Sequence, residues 1–484
     1  MKGIALAVGA VSTGKLKAEA GYPTGIQRNI REMEWRNRQE GMEYRRLGDT
    51  GMMVSAMVIG AGGLSPTNYQ FIKTAVDRGV NYVDTAWYYG NGESEKGVGE
   101  LLKQVGRDKL FISTKLSAYY SELYQLCQDI YKGLPSAKQN ELIAKTGELI
   151  RKRGVLEPGY HFNYFGSQEK QLSDAYLNYL VRKEYGYRNE WKVKIKEAMH
   201  RTLDESLDRL GTDHVDILHC PHGVRLPEEL EDETIYEVFQ EMKQMGKARF
   251  LGVSLHSDVQ NNLLRAVKLG HYDVAMPAIN IFNYPTVNMA LREAAASGMG
   301  IISMKGARPV VLRSSSDDPV PQWRIEKLNR AVPGDHKIMH KAYLFNLQNP
   351  YIAGVISDFR DEEMIRENLD LVGQKIEATP SDSGRIADQI ISAVGGFWGS
   401  NLFADEDTLR LLDNMAKSLF AIIEPGSCFV GTLFELALSA DRSYMLLDED
   451  DENTVQLSPA NAGPFPMATG KTRLQARFLA DPQV

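Results

Sequence analysis

Eight short, apolar runs of strand-like composition recur along the chain, and they constrain its fold more than any other feature. They occupy residues 57–63, 81–86, 110–117, 215–220, 250–256, 274–281, 300–305 and 351–357. Amphipathic helical segments separate most of them and often end in Gly, as helices commonly do. A hairpin-like stretch begins at Glu43, and no GxGxxG fingerprint follows the first run. This order predicts an α/β fold, a (β/α)8 TIM barrel rather than an open doubly wound sheet, with catalytic residues at the C-terminal ends of the strands.

One connection, residues 118–191, is far longer than the others and holds ten of the chain's 22 tyrosines. Helical periodicity in 121–132, 137–153 and 168–184 predicts a helical lid insertion after the third strand. Because the lid follows a strand, it should emerge on the active-site face of the barrel. Most of its aromatic residues are expected to form the lid's own core, while a few should point towards a substrate.

The composition favours a globular protein that acts on small molecules. With 43% hydrophobic and 25% charged residues, the chain is close to the globular average, and no stretch approaches the ~18 apolar residues of a membrane span. The net charge of −7 argues against nucleic-acid binding, since no basic stripe offsets phosphate repulsion. Cys127, Cys220 and Cys428 are far apart and lack CxxC spacing, so neither a disulfide framework nor a metal site is predicted.

Residues 1–42 are predicted to be a signal-like or disordered N-terminal segment. The opening MKGIALAVGAV resembles the apolar region of an export signal and is similar to the tail of a twin-arginine signal. A frayed terminus without any targeting signal explains the same weak pattern. The sequence therefore favours a cytoplasmic protein, with twin-arginine export as the alternative.

Polar residues at three predicted strand ends form a proton-transfer set. Asp84 and Tyr89 follow the second strand, Lys115 ends the third, and His219 and His222 lie at the end of the fourth. A tyrosine is a poor acid at neutral pH, so a neighbouring ammonium is needed to favour the phenolate. A buried lysine keeps its charge only when it is paired, and Asp84 is the natural counter-ion. An imidazole beside the tyrosine hydroxyl could orient a carbonyl oxygen.

Several motifs, in family order over about residues 43–375, resemble the aldo-keto reductase family. DTAWYYGNGESE resembles its DTAxxYGxxxSE motif, LDESLDRLGTDHVDIL its LxxSLxRLGxDxxDL motif and GKARFLGVS its GKxRxxGVS motif. HKAYLFNLQNPYIAGVIS, followed by DEEMIRENL, resembles the last barrel helix and strand and the adenine-side EN motif. The resemblance implies a TIM barrel over 43–378, without a Rossmann domain, that binds a nicotinamide dinucleotide across the strand ends and reduces a carbonyl by hydride transfer.

By this resemblance Tyr89 would be the general acid, Lys115 and Asp84 would tune it, and a histidine after the fourth strand would orient the carbonyl. The family's usual histidine position is Pro221 here, which leaves His219 and His222 as candidates. We favour His222, because it lies in the loop beyond the strand end, where barrel catalysis takes place. His219 would then be a buried core histidine.

The resemblance also implies NADP as the cofactor, with NAD as the alternative. The cofactor-binding residues that it implies are Gly62, Ser254, Asn280, Lys305, Glu367 and Asn368. Lys305 and Arg308 are the candidate phosphate partners, since strand-end cations suit a phosphate.

Several positions in the cofactor region depart from the family pattern. Leu255 stands where the family has Asn, with His256 as a possible replacement, and Asn280 is the nearest polar candidate where it has Gln. Met304 replaces an aromatic residue that would stack on the nicotinamide, and Asp358 is a poor neighbour for a phosphate. These departures leave the cofactor affinity and the NADP preference open.

Residues 385–484 resemble another family. SLFAIIEPGSCFVGTLFELALSADRSYML and QLSPANAGPFPMATGKTRLQARF are similar to part of a crotonase (enoyl-CoA hydratase) domain, most closely the benzoyl-CoA-dihydrodiol lyase branch. A complete domain needs more strands than residues 385–420 can hold. We therefore expect an incomplete, inactive appendage, and the alternative is a docking module whose exposed apolar surface needs a partner.

The favoured function is an NAD(P)-dependent oxidoreductase that reduces a small-molecule aldehyde or ketone. One alternative is a catalytically weakened barrel that acts as a binding or scaffold protein, motivated by the altered cofactor positions. Another is a CoA-thioester lyase or hydratase activity of the C-terminal segment. No nucleic-acid or membrane partner is expected.

Overall fold

The computed structural model describes residues 31–157, 160–310, 326, 329–330, 332–378, 382, 420–423, 432–446, 455–457, 461, 467 and 471–477. The predicted export signal, within residues 1–30, lies outside the described residues, as does the segment 383–419.

Eight parallel strands close into a barrel in the order β10-β11-β4-β5-β6-β7-β8-β9. The strands are β4 Met57–Gly60, β5 Tyr82–Asp84, β6 Phe111–Lys115, β7 Val215–His219, β8 Ala248–Leu255, β9 Val274–Pro277, β10 Gly300–Ser303 and β11 Gly354–Ser357. Nearly all of their residues are buried, because the barrel interior covers one face and the surrounding helices cover the other. Each predicted run overlaps one of these strands, which confirms the TIM barrel.

A small three-stranded sheet covers the N-terminal end of the barrel. Strand β2 (Tyr44–Arg46) pairs antiparallel with β3 (Met52–Ser55), as the hairpin pattern predicts. Strand β1 (Glu34–Trp35) adds to β3 in parallel. Part of the segment that the sequence assigned to residues 1–42 therefore takes part in the folded unit.

Asp216, at the start of β7, is the centre of a buried charge network beneath the barrel. Its carboxylate accepts hydrogen bonds from Arg36 (3.0 Å), Arg107 (2.9 Å) and Arg249 (2.6 Å), and from the backbone N–H of Ile112 at 2.9 Å. Burial acts to raise the pKa of Asp216, but the three guanidinium groups outweigh burial and hold that pKa below its usual value. The network joins β7 and β8 to the N-terminal strand.

We expect Asp216→Asn to lower the free energy of unfolding by about 3 kcal/mol, because three half-buried guanidinium groups lose the buried carboxylate that they share. The depressed pKa means that the carboxylate stabilises the fold above its unfolded pKa of about 3.9 and loses this effect as the pH falls through the folded value. In urea unfolding, the free energies of unfolding of variant and wild type should therefore differ at about pH 7, and the difference should shrink at about pH 3. The control is Asp213→Asn, whose carboxylate is 92% exposed; equal losses in both variants would contradict this role of Asp216.

Helices surround the barrel, and none among the described residues is both long and apolar enough to cross a membrane. They are α1 Lys73–Asp77, α2 Glu93–Val105, α3 Ala118–Gly133, α4 Ser136–Arg153, α5 Gln168–Tyr185, α6 Asn189–Leu210, α7 Glu233–Gln244, α8 Val259–Leu269, α9 Tyr284–Ser297, α10 Ile338–Leu347 and α11 Glu362–Leu369.

Helices α3, α4 and α5 form the predicted lid after the third barrel strand, with bounds close to those expected from periodicity. Tyr120 and Tyr124 of α3 donate hydrogen bonds to Glu229 at 2.8 and 2.6 Å, which fastens the lid to the loop after β7. Tyr119 and Tyr176 are fully buried. These four tyrosines thus belong to the lid's core and its contact with the barrel.

The C-terminal segment contains a parallel pair of strands, β12 (Phe420–Ile423) and β13 (Arg442–Met445), joined through α12 (Thr432–Ser439). Glu435 is 1% exposed, accepts a hydrogen bond from Asn461 at 2.7 Å and pairs with Arg473 at 3.1 Å. Within the parts of the C-terminal segment that the structure describes, β12 and β13 form a two-stranded sheet.

Candidate active site

A buried ion pair joins the ends of two neighbouring barrel strands. Strands β5 and β6 are paired in parallel register, so that Asp84 and Lys115 reach the same mouth of the barrel. Lys115 Nζ lies 2.5 Å from Asp84 Oδ2 and also donates to the Thr85 carbonyl at 2.8 Å. Both side chains are less than 5% exposed. Burial acts to lower the pKa of Lys115, but Asp84 and Tyr89 raise it, so the ammonium is retained.

Tyr89 stands beside this pair at the start of the tight turn Tyr89–Gly92, which follows β5. The Lys115 ammonium is 4.7 Å from the centre of the tyrosine ring. Burial raises the pKa of Tyr89, Lys115 opposes that shift, and the carboxylates of Asp84 and Asp358 add to it. Lys115 therefore acts in the direction expected from the sequence, but burial outweighs it and the net pKa is raised.

The two candidate histidines occupy different environments. His222 Nδ1 is 2.8 Å from Ser117 Oγ, and its ring stands edge-on to Tyr89 with 6.3 Å between the ring centres. Burial, followed by the Lys115 charge, holds the pKa of His222 well below its usual range. His219 is fully buried and packs so closely on Gly252 that a side chain there would collide with its ring. The geometry brings His222, rather than His219, to the tyrosine.

Two residues that contact this set were not identified from the sequence. Ser113 donates a hydrogen bond to Asp84 Oδ1 at 2.7 Å, and Ser117 contacts His222. A signal for Ser113 was present, because alternate strand residues share a face and Ser113 precedes Lys115 by two positions. Ser117 had no such local signal.

A cleft of about 960 Å³ extends from Asp84 and Tyr89 at the barrel mouth towards helices α10 and α11. Its volume is at the upper end of the range for small-molecule and cofactor sites. Gly60, Gly62 and Gly63 line it, so a ligand can approach the backbone closely. The lining also includes several cations, Lys305, Arg308, Lys337 and Arg360, which are suited to phosphate groups. These residues fit a nicotinamide dinucleotide.

The predicted cofactor residues divide into two groups. Gly62, Lys305, Glu367 and Asn368 line the cleft. Ser254 and Asn280 are fully buried and are absent from the lining of this cleft. Ser254 Oγ accepts a hydrogen bond from the Gly223 N–H at 2.8 Å, and the Asn280 amide donates to Tyr164 at 2.9 Å.

Asp358 and Lys305 are the unusual charges of this cleft. Asp358 follows β11 and faces the cleft next to Gly60, where any side chain would collide with its carboxylate. Burial raises the pKa of Asp358 above its usual value, although the charge of Lys305 acts to lower it. Lys305 has a left-handed backbone, with φ of 61°, a conformation that residues other than Gly, Asn and Asp rarely adopt. Burial lowers the pKa of the Lys305 ammonium.

Comparison with known proteins relates the barrel to aldo-keto reductases. The model of the aldo/keto reductase family matches residues 57–155. L-galactose dehydrogenase of Arabidopsis thaliana is 25% identical over 355 residues, which are 68% of this chain and 87% of the plant protein. A solved aldo-keto reductase of Bacillus halodurans, in its holo form, is 20% identical over 74% of this chain and 99% of its own, with a TM-score of 0.48.

Benzoyl-CoA-dihydrodiol lyase of Aromatoleum evansii is 56% identical over 74 residues, which are 15% of this chain and 13% of the lyase. Both resemblances predicted from the motifs, to aldo-keto reductases and to this lyase, are thereby confirmed. The chain spans most of the plant dehydrogenase but only a small part of the lyase.

Proposed function

We propose that this chain, whose barrel resembles those of aldo-keto reductases, is an NAD(P)H-dependent oxidoreductase that reduces an aldehyde or ketone to an alcohol. The observation that carries the proposal is the buried pair of Asp84 and Lys115 beside Tyr89, at the mouth of a cleft of about 960 Å³. A charged pair of this kind, in a cleft and next to a titratable hydroxyl, is typical of an acid/base site.

A reduced nicotinamide dinucleotide in the cleft would supply the hydride. Tyr89 gives its hydroxyl proton to the carbonyl oxygen, and the Lys115 ammonium stabilises the phenolate that remains. Asp84 keeps Lys115 charged and in place at 2.5 Å. His222 is neutral because its pKa is low, so it orients the carbonyl through a hydrogen bond rather than protonating it. With Ser117 on Nδ1, Nε2 is the nitrogen left for the carbonyl oxygen.

We expect His222→Leu to lower kcat/KM by about 10²-fold, the effect of removing one polarising hydrogen-bond donor. His219→Leu should keep kcat/KM within about threefold, since replacing a buried group that forms no good hydrogen bond is nearly neutral. Steady-state kinetics on both variants, with circular dichroism as the folding control, compares them. The reverse order of effects would assign the role to His219.

The charges near helices α10 and α11 support NAD over NADP, against the preference that the family resemblance implies. Glu367 pairs with Lys337 at 2.5 Å and lies 3.4 Å from His340. Asp361 and Glu363 also line this part of the cleft. A 2′-phosphate would meet these carboxylates, whereas a ribose 2′-hydroxyl can donate a hydrogen bond to one of them. Arg360 and the paired Lys337 are the opposing cations.

The experiment that tests the function is a fluorescence titration with NADH and with NADPH, followed by oxidation of the bound dinucleotide with a panel of aldehydes and ketones. We expect NADH to bind at least about tenfold more tightly, a difference of about 1.4 kcal/mol. L-galactose with NAD is the first reverse reaction to try, because the plant relative is named for it. Binding of neither dinucleotide would overturn the proposal and favour the binding or scaffold alternative.

The CoA-thioester alternative has less support. Glu435, the acidic residue of α12, is buried and paired with Arg473 at 3.1 Å. Such a carboxylate is committed to an ion pair rather than exposed for proton transfer to a substrate.

A further inference from the structure

The turn between lid helices α4 and α5 is fastened to the ends of the barrel strands. Gln168 is 2% exposed, and its side-chain oxygen accepts a hydrogen bond from the Tyr164 N–H at 2.8 Å. Its amide nitrogen donates to the Phe162 carbonyl at 3.0 Å and to Ser257 Oγ, in the loop after β8, at 3.1 Å. The Gln168 side chain therefore holds the turn together and also attaches it to the barrel.

Tyr164 makes a second attachment. Its hydroxyl accepts a hydrogen bond from Asn280, in the loop after β9, at 2.9 Å, and its carbonyl accepts one from Arg308 at 3.4 Å. The Tyr164 side chain is 4% exposed. Three loops of the barrel thus hold this turn, and the lid here is a fixed wall.

This wall lines the cleft that contains the acid/base residues. Tyr164 and Phe165 line the same cleft as Asp84, Tyr89 and Met304. Phe165 is only partly buried and stands edge-on to His256, with 5.6 Å between ring centres and 84° between planes. The barrel side of the cleft contributes Met304, whose flexible thioether offers no fixed flat face. Phe165 is therefore a partly exposed aromatic surface that the lid adds to the cleft that Tyr89 also lines.

Resting on the proposed function, we propose that Phe165 binds the nicotinamide end of the dinucleotide, with Tyr164 and Gln168 as its positioning residues. A flat nicotinamide ring needs an apolar or aromatic face beside it, and offset or edge-on contact with an aromatic side chain is favourable. Because hydride transfer needs the nicotinamide at the Tyr89 end, the rest of the dinucleotide would extend along the cleft towards α10 and α11. The insertion would then complete the cofactor site.

Binding of two probes separates the ends of the cofactor. NADH contains the nicotinamide, whereas ADP-ribose lacks it and keeps the adenine, both riboses and the pyrophosphate. We expect Phe165→Ala to weaken NADH binding roughly tenfold, with ADP-ribose affinity within about twofold of wild type. Phe165→Trp should retain NADH affinity, and Gln168→Leu should reproduce the selective loss because it releases the turn. Isothermal titration calorimetry measures all of these without turnover.

The control is Tyr236→Ala, which removes a 39% exposed ring in α7 and should change neither affinity. Phe165→Leu keeps apolar volume without the ring and serves if the alanine variant fails to fold. Unchanged NADH affinity in the Phe165 variants, or equal losses for NADH and ADP-ribose, would overturn the inference. Wild-type protein that binds neither probe would instead overturn the proposed function.

Discussion

Tyr89→Phe is expected to lower kcat for carbonyl reduction by about 10²–10⁴-fold, because the variant lacks the proton that the carbonyl oxygen must receive. The dissociation constant for NADH should stay within about twofold of wild type, since the phenyl ring remains in place and only the transition-state interaction is lost. Single-turnover oxidation of bound NADH, measured by absorbance, separates the chemical step from binding.

The pH dependence gives a second measurement on the same residue. Burial raises the pKa of Tyr89, so the acid form should persist and kcat for reduction should stay level from about pH 6 to about pH 9. It should fall only as the pH approaches the raised pKa. The neighbouring Tyr88, whose side chain is 61% exposed, provides the matched control as Tyr88→Phe. If Tyr89→Phe and Tyr88→Phe kept equal turnover, Tyr89 would not be the acid.

Breaking the buried pair should produce the largest loss of stability. Lys115→Met leaves the Asp84 carboxylate buried without its counter-ion, which costs about 3–5 kcal/mol. Asp84→Asn should destabilise by a similar amount for the converse reason. The double variant Asp84→Asn, Lys115→Met should recover much of the loss, because neither charge remains. Chemical unfolding of the four proteins forms a double-mutant cycle.

All three variants should lose turnover, since the phenolate of Tyr89 would no longer be stabilised as in wild type. The control is Lys96→Met, which removes an exposed pair with Glu93 at 2.8 Å and should cost less than about 1 kcal/mol. Additive losses in the double variant would show that Asp84 and Lys115 do not interact, and normal turnover in Lys115→Met would remove the lysine from the mechanism.

The strand and helix positions could be predicted because they depend on local patterns. Apolar runs of six to eight residues predicted the buried parallel strands, and amphipathic segments ending in Gly predicted the helices. The lid helices followed the same rule. Residues 31–42 escaped it, because β1 has only two residues and its pairing with β3 leaves no periodic signal.

The candidate site divides along similar lines. Asp84, Tyr89 and Lys115 could be proposed as a set because each ends a predicted strand or follows one, and parallel strand ends meet at one mouth. Ser254 near the end of β8 and Asn280 just after β9 also lie at strand ends. Ser254, however, forms a hydrogen bond with Gly223, and Asn280 forms one with Tyr164. Strand position therefore indicates which end of the barrel a residue occupies, but not which partner takes its side chain.

The sequence by itself determined the barrel and the lid and indicated the candidate acid/base residues, because backbone periodicity and strand-end position are properties of neighbouring residues. Only the tertiary structure decided which histidine approaches Tyr89, that burial raises the pKa of Tyr89 against the effect of Lys115, and that a lid turn lines the cleft. Those outcomes depend on contacts between residues far apart in the chain: Tyr164 and Asn280 are 116 positions apart. Pair distances and burial of this kind arise when the chain closes, and no local pattern encodes them.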